Sequence, residues 1–420
     1  MIKIGVEMIM SNTWQKNIIL FLLSQTMSLF GTSLVQYAIM WYITLNTKSG
    51  IMMAVSIICS FIPTFILSPF AGVWADRYSK KKLIMLSDSF IALSTLVLAV
   101  LFLIGYDSIV LLFILSSLRA IGTGIQTPSV NSFIPQIVPE NQLVRVNGIF
   151  SGIQAAIMLL APMLSGVLIA NTTFESILFI DVFTAAIAVF VLFSFLNIPN
   201  NAKTQNVQES TYFEDMAGCI KYIKKNAYLS KLFVLYSITL FLVTPVCFLT
   251  PLQVTRSFGD DVWRLTAIEV AFAFGMILGS VAIASFAGFK NRIYTMALAS
   301  FIFGVCTFFL GILSIFWVYI IIMSMAGITL PFFNTPMTVI LQEKVEVDYH
   351  GRIFGVLNMI SSSMMPMGMF VFGPMADMIP VEWLLLGTGL LIFIQSFFFI
   401  ASKDLVIAGR EKGCYKELLD

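Results

Sequence analysis

The stretch Gly72-Val73-Trp74-Ala75-Asp76-Arg77-Tyr78-Ser79-Lys80-Lys81-Lys82 sets four cations and one acid between two apolar runs, the first beginning near Gly50 and the second reaching about Gly105. Each run is long enough to cross a bilayer, for which about 20 apolar residues in a helix suffice. A charged turn between two such spans must lie at a membrane face. Lys and Arg in short loops are retained on the cytoplasmic side, so the turn is predicted to be cytoplasmic.

The composition excludes a soluble domain. The 420 residues are 59% hydrophobic and 11% charged, with mean hydropathy +0.94. A net charge of +2 gives no basis for a nucleic-acid partner. The sequence has no metal-ligand cluster, no nucleotide-binding glycine loop and no nucleophile with its base. Its only histidine, His350, falls in a loop, and the five cysteines have no pairing pattern. Neither an enzyme nor a cofactor is expected, and the N-terminus does not read as a cleavable leader.

Outward from the charged turn, hydropathy predicts twelve spans, at about 17–44, 51–75, 83–105, 108–134, 141–170, 174–196, 229–253, 263–287, 293–314, 316–341, 350–377 and 381–401. With the N-terminus inside, the outer loops hold only Lys48, Arg256 and Arg264, so both termini are predicted to be cytoplasmic. The expected organisation is a six-helix bundle over 1–196, a cytoplasmic central loop over 197–228, a second six-helix bundle over 229–402 and a tail over 403–420. Phe213, Met216, Ala217, Ile220 and Ile223 recur at helical spacing in the central loop. With Lys221, Lys224 and Lys225 on other faces, they predict a short amphipathic helix on anionic membrane lipid. Thr127-Pro128 recurs as Thr335-Pro336, and Arg145 with Gly148 recurs as Arg352 with Gly355, at nearly the same offset, as duplicated halves require.

Ionisable and polar residues at membrane depth face a cavity or a partner rather than lipid. Arg119 falls near the middle of the fourth span, with Gln126 on the same face. Gln25, Thr32 and Gln36 form a stripe on the first span, Gln154 lies on the fifth, and Thr335 and Thr338 lie on the tenth. Pro162 and Gly166 permit a bend or a close approach in the fifth span. Asp181 and Glu269 each lie about 10 Å deep at the helical rise per residue. Burial disfavours the charged form of such a carboxyl, which makes Glu269 first and Asp181 second as proton carriers. The plainer alternative for Glu269 is a pair with Arg264 or Arg256, and for Asp88 a pair with the basic turn.

Gly72, Asp76, Arg77 and a run of three lysines that ends in Lys81 and Lys82 follow the pattern G-x-x-x-D-R-x-x-[RK]-[RK] between the second and third spans, and by it the chain resembles the major facilitator superfamily. The resemblance implies an all-α membrane fold of two pseudo-symmetric six-helix bundles around a central cavity. It also implies that these five residues act as an inner gate, with the loop acid set against a helix N-terminus. The surroundings of Asp76, Arg119, Asp181 and Glu269 resemble bacterial macrolide-efflux (Mef-type) exporters, and Ala161-Pro162-Met163-Leu164-Ser165-Gly166 is similar to an antiporter motif. These resemblances imply a monomeric bacterial plasma-membrane transporter that exports small amphipathic molecules in exchange for protons. An uncoupled carrier, or one for lysophospholipid or siderophore, is the alternative.

Overall fold

In hydrocarbon a backbone N–H or C=O finds no water, so a spanning segment must satisfy every such group internally. The described residues answer with helices. The computed structural model describes residues 2–139, 142–195, 221–286, 288–346 and 350–410. Twelve helices are long and apolar enough to cross a membrane, and no strand occurs among the described residues.

The helices are α1 (Ile2–Thr47), α2 (Gly50–Arg77), α3 (Lys80–Leu103), α4 (Ile109–Ile137), α5 (Leu143–Asn171), α6 (Phe174–Phe195), α7 (Ala227–Phe248), α8 (Thr250–Ser257), α9 (Val262–Phe286), α10 (Arg292–Leu310), α11 (Phe316–Lys344), α12 (His350–Met378), α13 (Val381–Ala401) and α14 (Lys403–Ala408). The seventh span is two helices, α7 and α8, interrupted at Leu249. Pro251 sits in the first turn of α8, where its missing N–H and its ring prevent the α7 ladder from continuing.

Two corrections to the sequence-based expectation concern the ends of helices. The charged stretch is not an eleven-residue turn: α2 runs through Arg77 and α3 starts at Lys80, leaving Tyr78 and Ser79 as the connection. Three lysines then open α3, although cations are disfavoured at a helix N-terminus. Their placement therefore does not serve helix stability. The beginning of the predicted tail is also structured. In α14 the Val406 carbonyl accepts from Asn291 Nδ2 at 2.8 Å; just beyond it the Gly409 carbonyl accepts from Arg292 N at 3.0 Å, and Asp404 pairs with Lys231. Most of the expected amphipathic helix in the central loop lies outside the described residues; 221–225 are helical.

The helices divide into two compact units, residues 1–43 with 55–207, and residues 44–54 with 208–420. In the first, α3 packs against α4 and α6; in the second, α10 packs against α11 and α13. This is one arrangement used twice, with the third span of each unit held by its fourth and sixth. The helix lengths repeat as well, since α4, α5, α11 and α12 are each 29 residues.

Close packing in the second unit depends on glycine. A Cβ at Gly304 of α10 would lie 2.6 Å from Phe393 N and 2.9 Å from Gly389 O, and one at Gly389 of α13 would lie 2.5 Å from Phe308 N. The α9–α11 contact is of the same kind. Cβ atoms at Gly275 and Gly279 would come within 2.0 Å of Ser324 O and 2.3 Å of Ile328 O, and one at Gly327 within 2.2 Å of Phe272 O. Without a water-driven hydrophobic effect between spans, such small-residue contacts supply the packing. Since backbone cannot yield, Gly304→Leu is expected to destabilise the protein by about 1–3 kcal/mol or more, as overpacking does. Gly387→Ala, with open space around its position, should leave the thermal midpoint in detergent unchanged. An unchanged midpoint for both would show the helix contact to be loose.

Candidate functional site

Within the first unit, three helices each present polar side chains seven residues apart: Gln25 and Thr32 on α1, Asp88 and Thr95 on α3, Arg119 and Gln126 on α4. Seven residues make about two helical turns, or roughly 10 Å. Because α1 and α3 run opposite to α4, these residues assemble into two layers.

In one layer the Arg119 guanidinium, 3% exposed, pairs with Asp181 of α6, 1% exposed. The same Nη1 donates to Thr95 Oγ1 at 2.6 Å, and Nη2 donates to the Thr32 carbonyl at 3.0 Å. One side chain thus joins α1, α3, α4 and α6. Gly31 makes the approach possible, since a Cβ there would sit 2.1 Å from Thr184 Oγ1 and 2.9 Å from Asp181 Oδ1.

The other layer is built on Asp88. Its Oδ1 accepts from Ser28 Oγ of α1 at 2.8 Å and from Gln126 Nε2 of α4. Asp88 therefore does not pair with the basic turn, from which it is buried. Apolar clusters close both ends: Phe21, Ile84, Phe133, Ile134 and Leu192 on one side, and Val35, Ile39, Leu98, Leu112 and Leu178 on the other. Among the described residues, Asp88, Arg119 and Asp181 are the buried charged ones, and all three lie in this unit.

The remaining expected residues are distributed differently. Gln25 is buried beside Ser28, whereas Gln36 and Gln154 are exposed on their helices and Thr32 is half-buried. Thr335 is exposed and Thr338 half-buried on α11, where the Thr338 hydroxyl donates to the Asn334 carbonyl at 3.1 Å. Pro162 and Gly166 are buried within α5, next to Ser165, whose hydroxyl donates to Leu34 O at 3.3 Å. Gly72, Asp76 and Arg77 fall in the last turns of α2, and their side chains lie outside the described residues. Lys81 donates to the Phe193 carbonyl at 3.4 Å, and Lys82 is exposed.

Glu269 lies on α9, half-buried, near Cys247 of α7. Arg264 pairs instead with Asp261 at 3.3 Å, and Arg256 with Asp377 at 2.9 Å. Among the described residues no cation pairs with Glu269.

Asp377 is a polar centre that the sequence reading missed. At the end of α12 its carboxylate accepts from Ser49 Oγ at 2.6 Å, Gly50 N at 2.7 Å and Ile51 N at 2.9 Å, capping the first turn of α2. Arg256 adds a donor from Nη2 and also donates to the Lys48 carbonyl at 2.6 Å. All of these groups belong to the second unit, which includes Thr44–Ala54. An acid set on a helix N-terminus, the arrangement the resemblance implies for Asp76, is thus present at Asp377. The available signal was a lone acid four residues after Gly373, a glycine whose added Cβ would lie 2.8 Å from Gly50 O.

Removing one partner of a buried pair leaves an uncompensated charge, which costs about 3–5 kcal/mol, while replacing both by apolar residues is often neutral. Arg119→Leu is therefore expected to lower thermal stability strongly, and Arg119→Leu combined with Asp181→Leu to recover most of the loss. Equal instability of the single and double variants would show that packing, not charge, governs this layer.

The arrangement has no reactive set and no group of metal-ligating residues among the described ones. It is a pair of helical units, one with sealed internal charge. Macrolide efflux protein A of Streptococcus pyogenes is 27% identical over 386 residues, covering 91% of this chain and 95% of that protein. A protein of the same name from Enterococcus faecalis is 26% identical, covering 76% of this chain and 99% of its own. Lysophospholipid transporter LplT of Photorhabdus laumondii is 24% identical, covering 77% and 79%. Among solved structures, the nucleoside transporter NupG superimposes with a TM-score of 0.66 at 16% identity, covering 93% of this chain and 98% of that one, which supports the fold alone. The model of the Major Facilitator Superfamily matches residues 21–369, and the chain belongs to that superfamily as a multi-pass membrane transporter.

Proposed function

We propose that the protein exports amphipathic small molecules, macrolides first among them, by alternating access in exchange for protons. The observation that carries this reading is the identity with Macrolide efflux protein A over nearly the full length of both chains. The side chains are consistent with it. Exposed Gln36, Gln154 and Thr335 on membrane-spanning helices offer hydrogen bonds beside long apolar surfaces, the mixture that an amphipathic substrate needs. The protein is taken to work as a monomer in a bacterial plasma membrane, with both termini in the cytoplasm. Gly72, Asp76, Arg77, Lys81 and Lys82 act as the gate on that side.

Proton coupling is assigned first to Glu269. At membrane depth an acid without a cation is driven toward its neutral form and can load and release a proton. Asp181 ranks second because it is already engaged by Arg119. Lysophospholipids are amphipathic too, and the relative LplT makes a lipid substrate the second reading.

In a bacterial host lacking its own exporters, expression is expected to raise the inhibitory concentration of macrolides several-fold, with the effect lost on adding a protonophore. Glu269→Gln should abolish gradient-driven efflux and keep downhill exchange. No macrolide shift at confirmed membrane abundance, together with lysophospholipid movement in vesicles, would replace the drug reading by the lipid one. Uphill efflux retained in Glu269→Gln would move the coupling site elsewhere.

A further inference from the structure

The Arg119–Asp181 pair neutralises itself, but the layer beside it does not. Asp88 is 1% exposed. Its Oδ1 accepts two hydrogen bonds from neutral donors, Ser28 and Gln126. Its Oδ2 has no hydrogen-bond partner among the described residues, and neither does either end of the buried Gln25 amide. The Gln25 amide nonetheless interacts with the Asp88 carboxyl, through its N–H end as it stands, so a proton on Asp88 Oδ2 requires the amide to present Oε1 instead.

The charged group that acts on Asp88 from the helices packed around it is Asp181 on α6, itself paired with Arg119 on α4. The guanidinium is engaged by Asp181, Thr95 and the Thr32 carbonyl. α1 contributes no charge, since none occurs between Lys16 and its end at Thr47. Among the described residues, Asp88 thus has no cation of its own. A bare carboxylate sealed between two apolar clusters would be a heavily disfavoured species.

We propose that Asp88 is a protonation site, in which the carboxyl carries a proton on Oδ2 and donates it to Gln25 Oε1. A single hydrogen then satisfies two acceptors that otherwise have none. The step balances simply: carboxylate and hydronium give the acid and water, and release is the reverse. Loading also changes how the bundle is held. An ionised carboxylate accepts stronger hydrogen bonds than a neutral acid, so protonation loosens the grip of α3 on Ser28 of α1 and Gln126 of α4. The site can therefore alter helix packing in the first unit when it gains or loses its proton. The protonation itself is independent of what the protein transports; its part in transport rests on the proton-exchange reading above.

The test is infrared difference spectroscopy on the full-length protein in lipid nanodiscs, titrated with pH. The expected result is a protonated-carboxyl band that shifts on carbon-13 labelling of aspartate, disappears in Asp88→Asn and persists in Glu269→Gln. Gln25→Leu should move the band to the frequency of a carboxyl without an acceptor, which decides the matter even if Asp88→Asn does not fold. A Gln25 amide that donates to an ionised Asp88 would leave no acid band at neutral pH that Asp88→Asn removes, and that outcome overturns the proposal. So does a band that neither substitution affects.

The role in transport is read separately, in proteoliposomes with a labelled macrolide and an imposed proton gradient. Asp88→Asn is expected to lose gradient-driven accumulation and keep exchange at zero gradient, while retained accumulation would remove Asp88 from coupling. Should the wild-type protein itself show no gradient-driven accumulation, the proton-exchange reading falls, and the band still decides whether Asp88 is protonated.

Discussion

A guanidinium inside a membrane bundle must be neutralised where it stands, and the first unit is built around that requirement. Arg119 has its counter-ion on α6, a hydroxyl partner on α3 and a carbonyl partner on α1. Each contact fixes the rotation of one more helix about its own axis, because a polar side chain turned elsewhere would be left unpaired in an apolar medium. The glycine at position 31 and the hydroxyl at Thr95 are consequences of the same demand, one providing room for the Asp181 carboxylate and the other an extra partner for both charges. The apolar clusters above and below then deepen the requirement, since they exclude the water that would otherwise solvate a misplaced charge.

The second unit repeats the helix packing without repeating the chemistry. Its third span also sits between its fourth and sixth, but glycine pairs at the backbone replace the ion pair as the determinant of helix approach. Its buried polar contacts, among the described residues, are uncharged: Gln253 bridges Leu310 O and the Tyr319 hydroxyl, and Gln395 donates to Leu235 O and Thr239. A common topology therefore tolerates two different ways of specifying register. Duplication accounts for the arrangement, while the buried charges belong to one copy.

The number of spans was legible because it is a local property of composition that hydropathy reports directly, whereas the charged stretch between the second and third spans is mostly helix ends rather than a turn. The depth of Arg119 was legible for the same reason. Its partnership with Asp181 was less so, because 62 residues separate the two and pairing depends on the register of α4 with α6. Asp88 looked like a neighbour of Lys80–Lys82 by sequence distance, yet about two turns of helix carry it away from them and into the core. The seven-residue spacing shared by Gln25 and Thr32, Asp88 and Thr95, and Arg119 and Gln126 was visible, and read jointly across the three helices it would have indicated layers. Asp377 was hidden because its donors are backbone N–H groups of another helix, which no side-chain pattern records. The break at Leu249 was the opposite case, since Pro251 stands openly in the seventh span.

Two kinds of acid contact emerge, and their energetics separate their roles. The Asp181 carboxylate is buried with its cation, so parting them would strand two charges in a low-dielectric core at a cost of about 3–5 kcal/mol. The Asp377 carboxylate lies at the end of its helix, where an acid set on a helix N-terminus gains about 0.3–1 kcal/mol from the dipole. Of the two, the buried pair is the costlier to part. The difference follows from burial: the deeper the charge, the fewer states of the protein can accommodate it unpaired.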